Sequence, residues 1–127
     1  MDVYIASAKR GTETAYGGVF VDKTGKVFNA FSRKAKNLCS SSRAVGVGIY
    51  DVLRVQKHSC TFNVCVNDKT MANAVATGKT KNYTDVVNAI SNQIAKRKHN
   101  ITITKCEGAN AYYTKAQQIA RAALEEE

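Results

Sequence analysis

Side chains able to do chemistry are few in this chain, and they are scattered. Cys39, Cys60, Cys65 and Cys106 show no CxxC spacing, so a zinc cluster of the finger type is not expected and reduced thiols are the default. His58 and His99 stand beside basic residues with no carboxylate or nucleophile arranged near them, and both read as surface positions. Cys65 falls in an apolar run and reads as a packing residue. Gly78-Lys79-Thr80 has the ending of a phosphate-binding loop. That loop needs a glycine where this chain has Asn73, and no strand precedes it at the right distance.

What remains is cationic chemistry. Lysine and arginine outnumber aspartate and glutamate by 19 to 10, a net charge of +9, which favours an acidic partner such as nucleic acid or an anionic surface. The candidates are Lys9 and Arg10, Arg43, Lys79, Lys81, and the cluster Lys96-Arg97-Lys98-His99. Each also reads as a solvated position, and for Lys9, Arg10 and the Lys96 to His99 cluster that is the first reading.

Size and composition set the bounds. A chain of 127 residues is one domain, long enough to bury well over half of its unfolded surface. With 44% apolar and 23% charged residues it is expected to fold rather than stay disordered. Apolar runs stop at roughly eight residues, short of a membrane span. Met1-Asp2-Val3-Tyr4 lacks the basic region and apolar core of a signal peptide, so an intracellular location, cytoplasmic or nucleoid/nuclear, is expected.

The first third reads as strands. Val3 and Ile5 alternate with Tyr4 and Ala6, and Asp22 to Lys26 is a turn signal between runs of period two, Val19 to Val21 and Val27 to Phe31. Any of Ser40, Ser41 and Ser42 can cap the helix that follows, whose apolar face is Val45, Ile49, Val52 and Leu53. Gly46 and Gly48 each cost that helix about 1 kcal/mol, and close packing of helix on sheet is the expected return. Cys60 to Val66 reads as a strand buried on both faces, and Lys69 to Val75 as a short helix. Thr84 is expected to cap a helix with the stripe Val87, Ile90 and Ile94, ending in the basic cluster that offsets the helix dipole. Ile101 and Ile103 alternate in a last strand, and Ala116, Ile119, Ala120, Ala123 and Leu124 stripe the closing helix.

Several of these segments carry a resemblance. Val3-Tyr4-Ile5-Ala6-Ser7, Tyr16-Gly17-Gly18-Val19-Phe20, Ser-Ser-Ser-Arg-Ala at 40–44, Asn67-Asp68-Lys69 and Gln118 to Ala123 follow in an order that resembles a type 1 ribonuclease H domain over nearly the whole chain. The resemblance implies a single α/β domain over 1–127. It would have a five-stranded mixed sheet, order βββαβααβα, with helices on both faces.

Enzymes of that family cut the RNA strand of RNA–DNA hybrids with two divalent ions held by carboxylates. Hard cations so close together need several anionic oxygens. The positions that match the family's four acids are Ser7, Ala44, Asn67 and Gln117, and none supplies a negative charge. The family's histidine loop falls at Glu107-Gly108-Ala109-Asn110, without a histidine. Asp68 and Glu107 are the only acids able to approach, since Asp51 lies two turns beyond Ala44. The expectation is a domain without catalytic residues, metal or cofactor. Its nucleic-acid contacts would be Lys9, Arg10, Ser41, Ser42, Arg43, Lys69 and Asn110.

Three functions stay open. The first is a catalytically inactive module that binds the backbone of a hybrid or duplex. A protein-interaction or scaffolding domain of viral or retroelement origin is the second, and a divergent metal-dependent ribonuclease H the third. Fold alone does not choose among them.

Overall fold

Two tight turns shape the start of the chain, which runs through β1 (Asp2–Arg10), β2 (Glu13–Val21) and β3 (Val27–Ala35). Gly11, at φ +61°, makes the first turn. At the second, the Asp22 carboxylate accepts hydrogen bonds from the Thr24 amide (2.9 Å), the Thr24 hydroxyl (2.6 Å) and the Lys26 amide (3.0 Å). These donors hold its carboxyl below the usual carboxylate range, the Thr24 hydroxyl most of all. The chain continues as α1 (Ser41–Val55), β4 (Thr61–Val66), α2 (Lys69–Thr77), α3 (Thr84–Arg97), β5 (Asn100–Lys105) and α4 (Ala111–Glu125). The computed structural model describes residues 2–35, 40–56, 58–66, 68–105 and 110–125.

The strands form one sheet in the order β3-β2-β1-β4-β5. The β1–β2 and β2–β3 pairs are antiparallel, and β1–β4 and β4–β5 are parallel. The mixed sheet and the βββαβααβα order are as the sequence predicts. One boundary differs. The first strand runs on through Lys9 and Arg10, which pair with Thr14 and Glu13, because the two-residue Gly11-Thr12 turn lets the ladder close almost to the hairpin's tip. Both cations therefore sit on a strand rather than in a loop.

The two sheet faces are packed differently. On one, Val3, Ile5, Tyr16 and Phe20 meet Val45, Ile49, Val52 and Leu53 of α1, together with Met71 and Val87 of the next two helices. On the other, α4 lies on small residues, with Ala15 packed against Ala123 and Leu124 and with Ala8 beside them. A Cβ at Gly17 would stand 2.6 Å from the Ala120 amide nitrogen and 2.7 Å from the Ala116 carbonyl oxygen. The close backbone approach expected beneath α1 thus occurs beneath α4. Beyond Gly48 the nearest atoms belong to the Ile5 and Tyr16 side chains, and beyond Gly46 to Val86 and Met71. Gly48 faces the sheet and Gly46 faces α2 and α3.

Three other expectations are corrected. β4 buries Phe62, Val64 and Val66 but exposes Thr61 and Asn63, since α4 covers β1, β2 and β3 rather than β4. Cys65 is accordingly only half-buried, with its sulfur 3.3 Å from the Thr104 hydroxyl. Thr84 does not cap α3. Tyr83 holds the cap position without a side-chain bond, and the Thr84 hydroxyl donates back to the Thr80 carbonyl (3.2 Å). His99 is buried at 5% exposure, because Lys98 turns the chain inward in a left-handed conformation (φ 56°). Its Nδ1 accepts from the Cys60 amide (3.1 Å), and its Nε2 lies 3.2 Å from the Leu53 carbonyl. Gly78 is the left-handed C-cap of α2, which gives Gly78-Lys79-Thr80 a structural role.

The buried acid of α1 was not singled out by pattern. Asp51 is 8% exposed. Its Oδ2 accepts from the Tyr16 hydroxyl and from Arg33 Nη1 (3.2 Å), and Arg54 Nε lies 3.5 Å from Oδ1. A buried carboxylate needs such partners to offset its lost hydration. Burial, followed by the bond to Asp51, pushes the Tyr16 hydroxyl far above its ordinary value. A raised value for this acid means that the folded state holds the proton more tightly. The resulting stability is full below about pH 10 and is lost as pH rises beyond it.

Gly17→Ala should destabilise the domain by about 1–3 kcal/mol in urea unfolding, because backbone rather than a flexible side chain blocks the added methyl. In a second series, Tyr16→Phe should flatten the fall in stability that the parent shows above about pH 10, measured as denaturation midpoint against pH.

Candidate nucleic-acid interface

The sequence-predicted contact residues fall into three places. At the first, α1 and α2 begin side by side. Ser40 caps α1 through its hydroxyl, which accepts from the Arg43 amide at 3.1 Å, and Asp68 caps α2 by accepting from the Met71 amide at 2.8 Å. The Ser42 hydroxyl donates to the second Asp68 oxygen at 2.7 Å, which ties the two helix starts together. Ser41 and Lys69 open their helices beside this bond. Asp68 is thereby engaged on both oxygens.

Arg43 is held in the same region. Its Nη1 donates to Asp85 Oδ2 at 2.7 Å, its Nη2 donates to the Asn82 carbonyl at 3.0 Å, and its guanidinium carbon lies 5.5 Å from the Tyr83 ring centre. The side chain is one-quarter exposed. Two of its five donors are thus bound within the protein.

The second place is a cleft of about 380 Å³ at the end of β1, lined by Ser7, Lys9, Arg10, Arg121, Leu124 and Glu125 among others. Arg10 Nη2 donates to the Leu124 carbonyl at 2.7 Å, binding the last turn of α4 to the strand. Arg10 also lies 3.7 Å from Glu13. Arg121 was missed by the sequence reading. The available signal was its place one turn after Gln117 on α4.

The third place is the start of α4. Asn110 accepts from the Tyr113 amide at 3.0 Å and borders a shallow depression with Ala111, Thr114, Lys115 and Gln118. Tyr112 fastens this end by donating to the Gly25 carbonyl (2.6 Å) and packing on Tyr4 at 5.1 Å. Asn110 and Arg121 stand eleven positions apart, about 16 Å along the helix axis. The structure therefore brings Ser7, Lys9 and Arg10 together and leaves Asn110 apart.

Of the four positions matched to the family's acids, Ser7 is half-buried on β1, Ala44 is fully buried in α1, and Gln117 is half-buried on α4. Asn67 and Glu107 lie outside the described residues. Among the described residues no group of three or more histidine, cysteine, aspartate or glutamate side chains is placed to hold a metal ion.

Solved structures share this architecture over almost its whole length. The ribonuclease H1 of the halophilic archaeon Halobacterium salinarum superposes with a TM-score of 0.79 at 15% identity, over 98% of this chain and 96% of that one. The chain has the ribonuclease H fold. A second similar structure is LC11 ribonuclease H1 in complex with an RNA/DNA hybrid, with a TM-score of 0.75 at 14% identity and coverage of 98% and 96%. The foamy viral protease–reverse transcriptase in complex with RNA/DNA hybrid matches at 0.68 and 12% identity, over 96% of this chain and 19% of that one. No family model and no curated protein matches the sequence.

The Arg43 guanidinium holds the Asp85 carboxyl below the usual carboxylate range, chiefly through the hydrogen bond between them. A depressed value gives a stabilising contribution that is present at neutral pH and lost as pH falls through the lowered range. Carbon-detected NMR titration should show Asp85 ionising below its ordinary value. In an Arg43→Ala variant it should move back towards that value, with the Asp85 ion pair itself contributing little to neutral-pH stability because its carboxylate is exposed.

Proposed function

We propose that this ribonuclease H-like domain binds nucleic acid, an RNA–DNA hybrid or a duplex, through backbone phosphates and does not cleave it. The observation that carries the reading is the cleft at the end of β1. It is lined by Ser7, the residue matched to the family's first acid, and edged by Lys9, Arg10 and Arg121. Lys9, Arg10 and Arg121 stand against two carboxylates, Glu125 in the cleft and Glu13 at 3.7 Å from Arg10, and the remaining positive charge suits a phosphate and repels a metal ion. The net charge of +9 acts in the same direction. Two of the similar structures contain an RNA/DNA hybrid, which supports the choice of ligand.

The residues do not fit a two-metal site. Ser7, Ala44 and Gln117 bring no charge, and Asp68 is bound by Ser42 and by the Met71 amide. No hydrolytic step follows from such a set. What the side chains can do is position a phosphate: Lys9 as a mobile point charge, Arg121 as a planar donor fork. Where carboxylates would repel one another without metal, neutral groups leave the domain stable alone.

The test is equilibrium binding to hybrid, duplex and single-stranded probes across a salt series, with and without magnesium or manganese. Contact with about six phosphates predicts a log–log salt slope near −5, and Lys9→Ala or Arg121→Ala should each reduce it by about 1. Magnesium should change nothing beyond ionic strength. A slope near zero removes the binding reading. Manganese-dependent cleavage of the hybrid that Asp68→Asn abolishes would replace it with a nuclease.

A further inference from the structure

A second cavity lies away from the β1 cleft, between the last turns of α1 and the edge strand β3. Its volume is about 390 Å³. Its wall is Phe20, Phe31, Val52 and Val55, and its rim carries Arg33 and Arg54. Three features converge there. First, the large hydrophobic side chains exposed among the described residues are Phe28 (52%) and Val55 (58%). Val55 lines the cavity, and the Phe28 ring lies 5.9 Å from Phe20, where a bulge between β2 and β3 leaves Phe28 unopposed. Exposed apolar groups gathered at one place mark a contact surface.

Second, β3 ends the sheet, and its outer edge offers backbone donors and acceptors to an incoming strand, which would displace the Asn29 side-chain oxygen from the Ala30 amide (2.9 Å). Third, the local charge is net positive. Two guanidiniums, both more than half exposed, share the single Asp51 carboxylate, which leaves one positive charge uncompensated. β3 and the turn that leads into it carry Lys23, Lys26, Arg33 and Lys34 against the single acid Asp22.

We propose that this cavity and the β3 edge receive an extended acidic peptide segment of a partner protein, which adds to the sheet beside β3. Main-chain hydrogen bonds would hold the segment, and the cavity would select its side chains. On the face of β3 towards α1 the order is Asn29, Phe31, Arg33, so an apolar side chain fits beside Phe31. An acidic one two residues away, about 7 Å along the strand, meets Arg33 and Arg54. Charge rejects the second copy of the chain as occupant, because two β3 edges would bring like charges together. A nucleic-acid strand would satisfy the arginines but would leave the apolar wall and the strand edge unused. The inference does not rest on the nucleic-acid reading, since it involves neither Lys9 nor Arg121.

The probe is a fluorescent peptide capped at both ends, Thr-Leu-Thr-Glu-Thr-Glu-Thr, titrated into the full chain with NMR shift mapping. It should bind saturably, about tenfold more tightly than the same peptide with lysine for glutamate. Shifts should be confined to β3 and to residues 52–56. Val55→Glu, at an exposed position outside the Asp51 cluster, should weaken binding about tenfold while urea unfolding stays unchanged; Arg54→Gln should weaken binding to a similar degree but also lower stability, because Arg54 pairs with Asp51. A copy of the peptide N-methylated on alternate amides should not bind. Equal binding of the N-methylated or lysine peptides, shifts centred on the β1 cleft, or no saturation would overturn the proposal.

Discussion

How α1 is fixed to the sheet decides most of what this domain presents to its surroundings. The constraint is the buried carboxylate of Asp51, which takes a proton donor from β2 and guanidinium donors from β3 and from its own helix. A charge at 8% exposure cannot be left without them. Satisfying it sets the roll of α1 about its axis. That roll lays Val45, Ile49 and Val52 on the sheet and points Gly46 at α2 and α3. The other end of the helix is then carried to Asp68, where Ser42 joins the two helix starts.

The opposite face is fixed by a different means. Helix α4 sits on glycine and alanine, close enough that backbone meets backbone at Gly17. Such a seam tolerates little change in volume. It also determines where α4 ends, and so which side chains stand around Ser7. The cleft at the end of β1 is a product of this placement as much as of its own residues.

The order of elements was legible because hydrophobic period and turn chemistry are local. Asp22 to Lys26, the cap at Ser40 and the stripe of α4 all read directly. What failed depended on packing between distant segments. His99 lies in a run of cations and looks solvated, yet the turn at Lys98 and the partners at Leu53 and Cys60 bury it. Cys65 seemed enclosed because a run of apolar residues does not reveal which helix covers the strand. Asp51 was noted only as too distant to replace a carboxylate at Ala44. Its real partners, Tyr16 and Arg33, are 35 and 18 positions away. The site was legible as a set of residue types at Ser7, Ala44 and Gln117. That Arg121 joins Lys9 and Arg10 required the fold.

The uneven cover of the sheet has a consequence for how the domain opens. β1 and β2 are roofed by helices on both sides, whereas β4 turns Thr61 and Asn63 to water. Hydration from one side lowers the work of local separation, so amide protons of β4 and β5 should exchange with solvent before those of β1 and β2. The molecule then loosens from its parallel margin inward, and the antiparallel hairpin gripped between α1 and α4 is the last part to let go.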